Sequence, residues 1–147
     1  MRLALTPGVG DLMGRAVKPG RRILLKMMAS MGEAKTIERY PDLLDSLVAG
    51  ARDPVAAQAN LAELRALISP RGIRTSMRLS REDIRRLGVP TLMIWGDHDP
   101  VVPLVQSRAL AAEIPYARLE VLPAGHVPQL GNPERVAALI EDFVKAT

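Results

Sequence analysis

The 147-residue sequence contains no cysteine, which excludes disulfides, thiolate metal sites and cysteine nucleophiles. That composition fits a reducing, cytoplasmic setting and makes redox chemistry an unpromising class. Aromatic side chains are nearly as scarce, with one Trp, two Tyr and one Phe, too few for stacking on nucleic-acid bases. No apolar run approaches the ~20 residues that span a bilayer, and residues 1–7 are too short for the apolar core of a signal peptide. Neither a nucleic acid nor a membrane is an expected partner.

What is present is a chain able to bury a core: 48% of its residues are hydrophobic. Its net charge of +4 is unevenly placed. Residues 1–90 carry 16 Lys/Arg against 9 Asp/Glu, and residues 91–147 carry 4 against 7. The cations are mostly Arg scattered between apolar positions, which describes a solvated face better than a binding stripe.

The change in charge coincides with a change in pattern. Arg2 to Leu5 reads as a short strand, ended by Thr6-Pro7-Gly8. From there to Ser80 the apolar residues recur with helical spacing. Ile23, Leu24, Met27, Met28 and Met31 form one such run, stopped by Gly32. Pro41 opens a second run through Leu43, Leu44, Leu47 and Val48, and Asp53-Pro54 opens a third through Leu61, Leu64, Leu67 and Ile68. Ser80 and Asp83 have the spacing of a capping box for a brief fourth helix. The methionines Met27, Met28, Met31 and Met77 are expected in the core, with an adaptable pocket lining as the other reading. Gly8-Val9-Gly10 lacks the Lys and third Gly of a phosphate loop.

After Val89-Pro90 the run Thr91-Leu92-Met93-Ile94-Trp95 is nearly all apolar, as a parallel strand covered on both faces would be. Leu104 to Glu113 reads as a helix, and Arg118 to Leu122 alternates like a strand. Asn132-Pro133 then caps a last helix presenting Val136, Leu139, Ile140, Phe143 and Val144 on one face. Strand, helix, strand, helix predicts a parallel βαβ unit. In open α/β sheets the site lies beyond the carboxyl ends of the strands, and both Asp99 and His126 fall there. An acid in one strand-tip loop and an imidazole in the next is an arrangement in which the carboxylate orients the base.

The segments PTLMIWGDHDPVVP at 90–103 and PYARLEVLPAGHVPQLGNPERV at 115–136, with the closing Ile140-Glu141-Asp142-Phe143, resemble the C-terminal half of an α/β-hydrolase. Residues 1–90 resemble the family more loosely, as the strand after the nucleophile helix and the helical cap. The resemblance implies an α/β fold class: a partial α/β-hydrolase fold with a parallel βαβ C-terminal unit and a helical cap segment. It divides the chain into 1–18, a strand and loop; 19–88, the cap; and 89–147, the C-terminal part of the core. It also implies that Asp99 is the triad acid and His126 the base. No Gly-x-Ser-x-Gly occurs around Ser30, Ser46, Ser69, Ser76, Ser80 or Ser107, so the nucleophile and the oxyanion donors are expected outside this chain.

Asp97 is expected to face solvent or brace the turn. His98 lies between two carboxylates, yet adjacent turn residues point in different directions, so no metal is expected. No cofactor is implied. The activity expected of a complete protein is hydrolysis of an ester, C–C, halide or epoxide bond in a small hydrophobic substrate. The alternative is a non-catalytic truncated homologue acting as a binding or assembly partner. Either way a short sheet leaves an open edge, through which self-association is expected.

Overall fold

The structure is a computed structural model that describes residues 19–69 and 72–147. The strand expected at 2–5, the Gly8-Val9-Gly10 pair and the remainder of the 1–18 segment lie outside the described residues. The rest packs as two units: residues 19–24 with Pro41–Arg78, and Leu25–Tyr40 with Leu79–Thr147. The segment 19–88 thus contributes to both. No helix among the described residues is long and apolar enough to cross a membrane.

Helix α1, Arg21–Ser30, follows the apolar spacing read from the sequence and ends before Gly32, whose φ of +79° is open to glycine without a side-chain clash. Leu24 and Met28 are buried, one helical turn apart on the same face. Met27 and Met77 are exposed, so the expectation of a methionine core holds only for Met28 among these three. Helix α2, Ala34–Arg39, lies within the span read as helical, although its sequence AKTIER holds too few apolar residues to show a period of its own.

In the first unit, α3 (Pro41–Arg52) and α4 (Pro54–Leu67) form a helical pair. Asp53 joins them, its Oδ1 accepting the amides of Val55 at 2.7 Å and Ala56 at 3.0 Å, with Pro54 in the first turn. Leu44 and Val48 of α3 are buried, whereas α4 buries none of its residues. Ile68, expected to continue that helix, instead begins β1 (Ile68–Ser69), paired antiparallel with β2 (Gly72–Ile73). A β-branched residue at the frayed end of a helix adopts the extended conformation readily.

In the second unit, α5 (Arg81–Arg85) starts at the anticipated capping box, where the Ser80 and Asp83 side chains each bond the other residue's backbone N–H. Strands β3 (Thr91–Gly96) and β4 (Ala117–Leu122) pair in parallel, from Thr91 opposite Ala117 to Gly96 opposite Leu122. Helix α6 (Leu104–Glu113) connects them and packs on both. Two further helices, α7 (Pro128–Gly131) and α8 (Pro133–Ala146), pack against β3. The expectation that Thr91 to Trp95 is covered on both faces is not met: these residues are half-buried. Among the described residues their sheet has two strands, so β3 lacks a neighbour on one edge. Asn132 also departs from its expected role, since its side chain makes no capping bond and instead donates to the Pro123 carbonyl at 3.5 Å.

Candidate active site

Because β3 and β4 run parallel with Gly96 opposite Leu122, the loops that follow them leave the same end of the sheet. The two loops are tied together before either candidate residue is reached. The Asp97 amide donates to the Leu122 carbonyl at 2.9 Å, the His98 amide to the Ala124 carbonyl at 3.1 Å, and the Ala124 amide to Asp97 Oδ1 at 3.2 Å. Asp97 therefore braces the turn. It also bonds the neighbouring His98 ring. Two glycines make the approach feasible: a Cβ on Gly96 would sit 2.0 Å from the Gly125 carbonyl oxygen, and one on Gly125 would sit 2.4 Å from that of Met31. No other residue type fits either place without moving backbone.

The loops bring Asp99 and His126 together across 27 residues of sequence: Nδ1–H of the imidazole donates to Asp99 Oδ2 at 2.9 Å. The other carboxylate oxygen, Oδ1, accepts the amides of Val101 at 2.8 Å and Val102 at 2.9 Å, closing a turn on its own side chain. Trp95 fastens the same turn from the strand, its indole N–H donating to the Val102 carbonyl at 3.0 Å. The Asp99 side chain is only 2% exposed, and that of His126 is 31% exposed.

Burial by itself would raise the Asp99 pKa, but the bonds from His126, Val102 and Val101 outweigh it and hold the carboxyl below its ordinary value. Asp99 is therefore an anion at neutral pH. With the Nδ1 proton committed to it, the neutral imidazole carries its lone pair on Nε2, the nitrogen that can accept a proton from a nucleophile. A cavity of about 140 Å³ opens beside the pair, with Trp95, Pro128 and Gln129 in its wall. That is smaller than the ~300 Å³ at which small-molecule pockets usually begin.

Five of the six serines direct their hydroxyls to other partners. Ser30, Ser46, Ser69 and Ser107 donate to the carbonyls of Met27, Asp42, Gly72 and Leu104, and Ser80 donates to Asp83. Among the described residues, no serine hydroxyl is bonded to His126. Nor do three His, Cys, Asp or Glu side chains gather there to hold a metal. His98 is 78% exposed and points at its neighbour Asp97.

One participant escaped the sequence reading. Glu33, 1% exposed, accepts the Val127 amide on Oε1 at 2.9 Å and the Thr36 hydroxyl on Oε2 at 2.6 Å, while the His126 amide donates to the Met31 carbonyl at 2.8 Å. The only signal was Gly32, a chain reversal just before a carboxylate. A bond spanning 94 residues leaves no local pattern.

Known proteins share parts of this sequence and its fold. The chain is 37% identical over 95 residues to a pimeloyl-[acyl-carrier protein] methyl ester esterase of Aromatoleum aromaticum, covering 61% of this chain and 37% of that protein. It is 44% identical over 63 residues to a 2-hydroxymuconate semialdehyde hydrolase of Pseudomonas putida, covering 42% and 22%. Its fold superposes on a meta-cleavage product hydrolase from Pseudomonas fluorescens with a TM-score of 0.69 and 24% identity, over 92% of this chain and 50% of that one. An enol-lactonase from Burkholderia xenovorans gives a TM-score of 0.63 at 22% identity, over 92% and 48%. The chain thus spans about half the length of these solved structures, and its matches cover less than half of these curated relatives. The profile of the alpha/beta hydrolase family matches residues 2–139, nearly the whole sequence, and the chain belongs to that family.

Proposed function

We propose that Asp99 and His126 are the acid and base of a hydrolase site whose nucleophile and oxyanion donors come from residues outside this sequence. The observation that carries this reading is the buried Asp99 carboxylate holding His126 Nδ1 at 2.9 Å, an arrangement that in the neutral imidazole puts the lone pair on Nε2. In that site Asp99 fixes the tautomer and stabilises the imidazolium, and His126 takes the proton of the attacking group. The substrate class is a small hydrophobic molecule with an ester or C–C bond to be hydrolysed. The ester is favoured because a relative 37% identical is a methyl ester esterase. Cleavage of a halide or epoxide, which needs an Asp nucleophile, is the other branch of the same reading.

The test compares the 147-residue chain alone with the chain joined to a nucleophile-bearing N-terminal half of an alpha/beta hydrolase. Alone, it should hydrolyse small esters no faster than its Asp99→Asn and His126→Ala variants, because the covalent step and oxyanion stabilisation are both missing; the latter alone carries a factor of about 100 or more. Joined, it should gain turnover that His126→Ala abolishes. Turnover by the isolated chain that depends on His126 would sink the proposal. A second reading, a non-catalytic assembly partner, is favoured by a β3–β4 sheet that has two strands among the described residues, and the joined protein's inactivity would support it.

A further inference from the structure

The acid and base described above leave one buried carboxyl without a role. Glu33 is 1% exposed, and a carboxyl group is tolerated there only because both of its oxygens are hydrogen-bonded. One of those bonds, from Thr36 at 2.6 Å, is local. The other comes from the amide of Val127, the residue that follows His126, at 2.9 Å. A side chain that served only to finish its own turn would not need to reach across the chain.

Two further features of the same place act on the same loop. The His126 amide donates to the Met31 carbonyl at 2.8 Å, so consecutive amides, 126 and 127, are both held by the segment around Gly32. Gly125 is pressed against that segment: a Cβ there would lie 2.4 Å from Met31 O and 2.8 Å from Glu33 Oε1. The turn at Gly32, with φ of +79°, is what presents the Met31 carbonyl and the Glu33 carboxyl side by side. The imidazole is thus held at two points, its ring by Asp99 and its backbone by residues 31–33.

We infer that Glu33 is a positioning residue for His126. By accepting the Val127 amide it fixes the backbone from which the imidazole projects, and so holds Nδ1 within reach of Asp99. A functional group must be held to within about 0.5 Å of its working geometry, and the Asp99 bond can orient the ring only if the main chain behind it does not shift. This inference rests on the reading of Asp99 and His126 as acid and base.

The experiment is NMR of the 147-residue chain labelled with ¹⁵N-histidine. The Nδ1 proton held by Asp99 gives a protected downfield resonance, assigned by its loss in Asp99→Asn. In Glu33→Ala this resonance should disappear by exchange with water. In Glu33→Gln, whose amide oxygen still accepts from Val127, it should persist. If Glu33→Ala lowers the melting temperature but keeps the resonance, Glu33 is only a structural residue and the inference is overturned. Should the alanine variant fail to fold, Glu33→Asp decides. It keeps the carboxyl group and withdraws it by one methylene, so it must lose the resonance while folding, and retention overturns the inference. Absence of any Asp99-dependent proton in the unaltered chain overturns the acid–base reading itself, and this inference with it.

Discussion

Asp99 serves two structures with one carboxylate: Oδ1 closes the Val101–Val102 turn and Oδ2 holds His126. The two local bonds support the long-range one by fixing the carboxylate's direction. This has a pH consequence. The folded protein holds the Asp99 pKa below the ordinary 3.8, so the unfolded chain binds the proton more readily. The stabilisation from the charged carboxylate is complete above the ordinary value and is lost as pH falls through the lowered native one. Melting temperature measured from pH 7 downward should show this segment in the unaltered chain and not in Asp99→Asn. Identical pH profiles would mean that the carboxylate gains nothing from its partners.

At the scale of elements, the periodicity of α8 was legible, but its burial was not. Leu139 is 1% exposed, Val136 and Phe143 are half-buried, and Ile140 and Val144 on the same expected face are exposed at 48% and 66%. An apolar stripe tells which face a helix offers, and the width of the partner surface decides how much of it is covered. Leu139→Ala should therefore cost about 2–5 kcal/mol, and Val144→Ala about 0.5 kcal/mol or less. Chemical denaturation of the two variants measures the difference, and equal losses would refute the packing of α8 on β3. Helix α2 teaches the converse. Its one strongly apolar residue, Ile37, is buried beside Thr36, but a single position has no period to read.

For the whole molecule, the β3–β4 sheet has an unpaired outer edge on each strand among the described residues, and Val105, Tyr116 and Val89 are each at least 60% exposed. Unpaired backbone donors and acceptors, together with exposed apolar side chains, favour pairing with another chain. Sedimentation of the 147-residue chain should show mass rising with concentration; a monomer throughout the micromolar range would count against self-association through these edges. The local features of this chain follow from its sequence alone: helix starts at Pro41 and Asp53-Pro54, the Ser80–Asp83 capping box, the turn at Gly32 and the two strands. Each depends on residues within a few positions of one another, where backbone sterics and short hydrogen bonds decide. The Asp99–His126 pair was legible as well, because parallel strands force consecutive strand-tip loops to one end of the sheet. Only tertiary structure could join Glu33 to Val127, require glycine at 96 and 125, and choose which half of an apolar face is covered. Those outcomes depend on which backbones approach to within van der Waals distance, and neither spacing nor composition encodes that locally.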